Sequence, residues 1–186
     1  MDSFANTLDK LLFNQKLPIA LPSSVSSYDL IGDGTEDAII QSSFGQGKTI
    51  VTPLLMNMIT CAIANDGQVM EPKVIDSVKA ADGTIVKENN SAVYKRVMKS
   101  TEAQILKDLM VQVVKVGTAS KLNGLSYSVA GEYDSSKKFS HSWFMGFAPA
   151  EDPEIAVTVI MEQAGTGSAY AVPAAKRIFD SYFNVE

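Results

Sequence analysis

The sequence predicts an α+β fold, an antiparallel sheet with helices packed on it. Three observations carry that reading. Residues 52–65 and 102–116 repeat apolar side chains at intervals of three and four, the period of a helix with one buried face. The strand candidates 139–148 and 155–162 are joined by Ala150-Glu151-Asp152-Pro153, a connection short enough for antiparallel neighbours. The order helix, hairpin, helix, three strands, helix lacks the strict alternation that builds a parallel sheet.

Composition sets the frame for these elements. The 186 residues suit one domain, and 46% are hydrophobic, enough for a real core. Sixteen basic residues against 21 acidic ones give a net charge of −5, which argues against a partner with a phosphate backbone, so no nucleic acid is expected. One cysteine, Cys61, and one histidine, His141, exclude a disulfide framework and a Cys/His zinc site. No metal and no cofactor is expected. No apolar run reaches membrane-spanning length and the first thirty residues lack a signal-peptide pattern, so the chain reads as a soluble globular piece without membrane contact of its own.

The elements follow in order. Residues 1–50 form an irregular lead-in, with Phe4, Leu8, Leu11 and Leu12 spaced for a short helix over 3–12. Pro18, Pro22 and the serines of 23–27 read as loop, and 36–43 carry a weaker helical pattern ended by Gly45 and Gly47. Thr52 as N-cap and Pro53 at the first helical position start a helix whose face is Leu54, Leu55, Met58, Ile59, Ala62 and Ile63. Asn65-Asp66-Gly67 tolerates positive φ and stops it. Residues 73–79 and 84–87 form a hairpin through Ala81-Asp82-Gly83.

Thr101 with Gln104 has capping-box spacing for a helix over 102–116, facing inward with Ile105, Leu106, Leu109, Met110, Val113 and Val114 and closed by Gly117. Strands are predicted over 126–133, 139–148 and 155–162, the last apolar enough to be covered on both faces. A final helix begins near Pro173, with Ala175, Ile178, Phe179 and Tyr182 inward.

Several strings invite a chemical reading. Gly45-Gln46-Gly47-Lys48-Thr49 ends like a phosphate-binding loop. It has Ser42 where the first glycine belongs, and Pro53 starts the helix too late for free N–H groups to face a phosphate. It reads as a glycine turn. A Ser-His-Asp triad would need His141, which lies in a strand pattern between Ser140 and Ser142 and reads as facing a partner or solvent. Cys61 sits mid-helix between Thr60 and Ala62, the place of a small buried residue. Ser135-Ser136-Lys137-Lys138 contains Ser-x-x-Lys, whose chemistry needs a helical turn to bring lysine to serine, and here it joins two strands. Gly165-Thr166-Gly167-Ser168 reads as a loop before the last helix.

The order of longer strings goes further. Gly45-Gln46-Gly47, Thr52-Pro53-Leu54-Leu55-Met56, Ala62-Ile63-Ala64-Asn65-Asp66-Gly67 and Pro72 are followed by Val116-Gly117-Thr118-Ala119 and Val129-Ala130-Gly131. His141-Ser142-Trp143-Phe144-Met145-Gly146-Phe147-Ala148-Pro149, residues 155–162 and the last helix complete the series. Together they resemble the C-terminal part of the transpeptidase domain of penicillin-binding proteins, over about four-fifths of the chain.

That resemblance implies a partial transpeptidase/β-lactamase-like fold, in which helices sandwich an antiparallel sheet. It implies a parent enzyme that is acylated on a serine by a peptidoglycan stem peptide, cross-links it to a second stem, and is blocked by β-lactams. The parent would be anchored in the cell membrane on its extracytoplasmic face, by a segment upstream of this chain.

The family's three motifs, Ser-x-x-Lys, Ser-x-Asn and Lys-Thr-Gly, are not carried here in a matching position, and no catalytic residue is assigned. The chain opens at Met1-Asp2-Ser3-Phe4, where the resemblance expects Ser-x-Asn to have just passed. After Val129-Ala130-Gly131 the family continues Lys-Thr-Gly and then Ala-Glu, whereas this chain continues Glu132-Tyr133-Asp134. Two alignments remain open. Either five residues are missing before Glu132, or Glu132 stands at the lysine position, where its charge would repel a substrate carboxylate. Gly131 and Glu132 are therefore the substrate-binding candidates, flanking the place of the third motif. The leading expectation is a transpeptidase portion inactive by itself. The alternative is a non-catalytic interaction module with a degenerate transpeptidase fold, and a weaker third is nucleotide binding through Gly45–Thr49. Uncovered sheet surface leads to an expectation of self-association.

Overall fold

The computed structural model describes residues 2–28, 40, 48–125, 127–134, 141–164 and 168–185, with the backbone alone for residues 2 and 130–134. Two compact units emerge, Met1–Thr52 with Gln68–Val97, and Pro53–Gly67 with Met98–Glu186.

The first unit opens with helix α1, Asp2–Lys10, shorter at its C-terminal end than the apolar spacing suggests. The chain then turns through Leu12 and Asn14, both at positive φ. Leu12, Phe13 and Leu17 are buried there. The Tyr28 hydroxyl donates to Asp9 at 2.9 Å, tying the middle of the lead-in back onto α1. Ser26 is buried, and its Oγ accepts the Thr52 N–H at 2.9 Å.

The rest of this unit is two ribbons. Their strands are β1 (Gln68–Met70), β2 (Ser77–Lys79), β3 (Ile85–Glu88) and β4 (Val93–Arg96). β2 and β3 make the expected antiparallel hairpin, with β2 shorter than the expected 73–79 and β3 one residue later than the expected 84–87. The pairing of β1 with β4, Val69 opposite Lys95, was not among the sequence expectations.

The second unit places helices on a three-stranded antiparallel sheet. Its helices are α2 (Pro53–Ala64), α3 (Ser100–Val116) and α4 (Ala171–Tyr182), and its strands β5 (Ala130–Asp134), β6 (Ser142–Ala148) and β7 (Ile155–Met161) lie in the order β5-β6-β7. Successive residues of β6 point to opposite faces, and both faces are covered. Phe144 and Ala148 meet Val172, Ala175 and Phe179 of α4 on one side. Phe147 packs with Met110 of α3 on the other, beside Ile63 and Ala64 of α2. The Thr158 hydroxyl adds a polar tie to Asn57 Oδ1 on that side, at 3.2 Å.

Several sequence expectations are corrected here. α3 begins at Ser100, two residues early, and its N-terminal partner is Glu102, whose carboxylate accepts the Lys99 N–H at 2.8 Å, in place of the Thr101/Gln104 pair. The buried residues of α3 are Ala103, Met110 and Val114, while Ile105 and Leu109 are exposed. Gly117 does close α3, but with φ −104°, so no left-handed turn explains it. A Cβ there would lie 2.7 Å from the Val113 carbonyl oxygen, so space demands glycine. In α4, Ala175 and Phe179 face inward as expected, but Ile178 and Tyr182 are exposed. β7 is mostly half-buried, with Val157 its one buried residue.

Candidate functional site

β5 is an edge strand among the described residues, hydrogen-bonded to β6 on one side. Its register runs without interruption from Ala130 opposite Phe147 to Asp134 opposite Trp143. Gly131 lies opposite Gly146, and Glu132 opposite Met145. Gly131 and Glu132 are therefore the second and the central residue of this five-residue strand, where an unpaired row of backbone groups can meet an extended ligand.

The start of β5 is tied down by a polar cluster that the sequence reading missed. Ser128 Oγ accepts the Ala150 N–H at 2.8 Å and is hydrogen-bonded to the Glu151 carboxylate. That bond, first, holds the Glu151 carboxyl below its usual range, and the nearby Lys107 and Lys115 charges act in the same direction. Lys107 of α3 donates to the Glu151 backbone carbonyl at 3.1 Å, with its ammonium 5.9 Å from the Phe147 ring centroid. The partners are 22 and 23 residues apart in sequence, and no spacing rule joins them.

The other sequence candidates separate. His141 is exposed just before β6, and its Nδ1 accepts the Gln163 N–H at 3.2 Å. Cys61 is in α2, where burial pushes its thiol up and keeps it protonated near neutral pH. Ser135–Lys138, Gly45–Gly47, Gly165–Gly167 and most of 36–43 lie outside the described residues. Among the described residues no group of three His, Cys, Asp or Glu could hold a metal ion. No helix of the described residues is long and apolar enough to cross a membrane.

A helix-covered antiparallel sheet with this strand order defines a class, and comparison with known proteins identifies it. The model of the penicillin binding protein transpeptidase domain matches residues 1–180. The chain belongs to that family. It is 32% identical over 147 residues to the peptidoglycan D,D-transpeptidase PbpA of Mycolicibacterium smegmatis, covering 73% of this chain and 30% of the relative. The MrdA D,D-transpeptidase of Haemophilus influenzae is 30% identical over 169 residues, covering 78% and 26%. The chain thus spans less than a third of the length of either relative.

Among solved structures, the D,D-transpeptidase domain from Eggerthella lenta matches with a TM-score of 0.82 at 26% identity, over 97% of this chain and 48% of that one. Penicillin-binding protein A from M. tuberculosis, a ceftriaxone acyl-enzyme complex, matches in fold with a TM-score of 0.84 at 24% identity, over 97% and 43%.

Proposed function

We propose that residues 1–186 are the C-terminal part of a transpeptidase domain, in a longer protein that cross-links peptidoglycan stem peptides by serine acyl transfer and is acylated by β-lactams. The observation that supports this reading is the uninterrupted pairing of edge strand β5 with β6, from Ala130 to Asp134. In the family that Val129-Ala130-Gly131 resembles, the motif that recognises the substrate's carboxylate follows this string. In this reading the chain supplies the sheet, its helical cover and the recognition edge, and Gly131 and Glu132 line that edge. The acylated serine belongs to the longer protein, which sits in the cell membrane with its enzymatic part on the extracytoplasmic face. The chain alone neither acylates nor transpeptidates. Support for this last point is that the 186 residues hold no Ser-x-Asn and no Lys-Thr-Gly, and Ser-x-x-Lys only at Ser135–Lys138, between β5 and β6.

Labelling with a fluorescent penicillin tests the reading. The longer protein should label and this chain should not. A longer protein that stays unlabelled would contradict it.

Glu132 favours the second reading, an interaction module with a degenerate transpeptidase fold. A carboxylate at the lysine position of the recognition motif would repel an anionic stem-peptide terminus. Under that reading the longer protein stays unlabelled while keeping its fold.

Self-association is part of the proposal for the isolated chain. Ile105, Leu109 and Val116 leave an apolar stripe of α3 in solvent.

A further inference from the structure

We propose that Ser128 and Glu151 are positioning residues: the Ser128 hydroxyl, held between the Ala150 N–H and the Glu151 carboxylate, clamps the start of β5 to the β6–β7 turn and so sets where Gly131 and Glu132 stand on the sheet edge. This rests on the reading of that edge as the recognition segment. An edge strand has one neighbour, so its ends are held by few ladder bonds and fray readily. β5 begins at Ala130, two residues after Ser128, and Ala130 pairs with Phe147. The turn it is clamped to is firm. Ala150 is 2% exposed and packs with Phe147 and Met110.

Lys107 reaches the same turn from α3 through the Glu151 carbonyl. The contacts form a closed circuit, from β5 to β6 by strand pairing, from β6 to the turn by the chain, and from the turn back to β5 by Ser128. Ser128 Oγ uses both capacities of a hydroxyl, accepting from Ala150 and donating to the carboxylate. Alanine at 128 leaves the buried Ala150 N–H without its acceptor, while threonine keeps the hydroxyl.

Hydrogen exchange of the 186-residue chain, read by mass spectrometry on peptides covering 128–134 and 155–161, tests the clamp. Ser128→Ala should speed exchange over 128–134 by about tenfold, the factor one lost hydrogen bond supplies, and leave 155–161 unchanged. Ser128→Thr should restore the wild-type rate. Where Ser128→Ala loses protection over 155–161 as well, Lys107→Met serves instead, removing one donor to the turn from outside the sheet; it should speed 128–134 alone. Wild-type exchange over 128–134 in both variants, or a wild-type segment already without protection, would overturn the proposal. No ligand is present, so the result does not depend on the recognition reading. That reading fails separately, if Glu132→Ala leaves β-lactam acylation of the longer protein unaltered.

Discussion

The Oγ of Ser142 accepts the backbone N–H of Ala171 at 3.1 Å, inside the core where both residues are fully buried. Ala171 is the first residue of α4, whose leading N–H groups have no partner within the helix. A strand side chain 29 residues away therefore does the work of an N-cap. This contact and the Phe144–Phe179 edge-to-face pair, centroids 6.3 Å apart, fix the last helix on its side of the sheet.

Ser142→Ala should destabilise the chain by about 1–3 kcal/mol, since it strands a buried donor. The urea midpoint should fall with an unchanged slope. An unaltered midpoint would mean that the Ala171 N–H finds another partner.

Phe179→Ala should cost about 3–5 kcal/mol, as for large-to-small substitutions of aromatic core residues. Ile178, the next residue back, is exposed. Ile178→Ser should therefore stay within about 0.5 kcal/mol of wild type. Thermal unfolding of the pair measures the contrast directly.

Gly67 has φ +83°, and a Cβ there would lie 2.2 Å from the Met98 carbonyl oxygen. Gly83 has φ +87° with open space around it. Both positions disfavour alanine, but only the first also clashes with backbone. Gly67→Ala should cost more than about 2 kcal/mol, against about 1 kcal/mol for Gly83→Ala. Equal unfolding midpoints for the two variants would contradict this.

Tyr127 donates to Asp180 at 2.6 Å, and Lys176 donates to the other carboxylate oxygen at 2.7 Å. Lys176, first, and then Tyr127 hold the Asp180 carboxyl below its ordinary value of 3.8. A depressed folded-state value contributes stability that is present above pH 3.8 and lost as pH falls through the folded value. Burial, then the bond to Asp180, pushes the Tyr127 phenol far above its ordinary 10.0. Its contribution is intact below pH 10.0 and lost as pH rises beyond. Tyr127→Phe should cost about 1.5–3 kcal/mol at neutral pH, as for a hydrogen bond to a charged group. It should also flatten the alkaline limb of the stability curve, and Asp180→Asn the acid limb. Denaturant titrations from pH 3 to 11 would show either limb unchanged if these groups do not carry it.

The exposed stripe of α3 gives the test of self-association. Replacing Ile105 and Leu109 together by Asp should convert an associating chain to a monomer in light scattering, because both side chains are exposed and contribute little to the core. A wild-type chain that is already monomeric at high concentration would contradict the proposal.

These contacts also mark what the sequence makes legible. The period of three and four places all three helices of the second unit, because burial on a sheet needs a stripe. Yet period alone cannot give the stripe's width. In α3 the buried residues are small Ala103 with Met110 and Val114, so Ile105 and Leu109 fall outside the buried stripe. The strands β5–β7 are legible from short connections and apolar content. The β1–β4 pair is not, because β1 is a three-residue strand paired to one more than 20 residues downstream, with no alternation to read. At the candidate site, the resemblance singles out Gly131 and Glu132, and what the structure adds is their position on β5, opposite Gly146 and Met145. Ser128 and Glu151 are not legible, since a single serine and a turn carboxylate become partners only when the sheet closes.

The most direct test of the central claim is the intact mass of the 186-residue chain after incubation with a reactive β-lactam, beside a heat-denatured control. The account predicts an unshifted mass in both samples. A single adduct in the native sample alone would show that a serine within these residues, with Ser135 the first to map, is an activated nucleophile, and would contradict it.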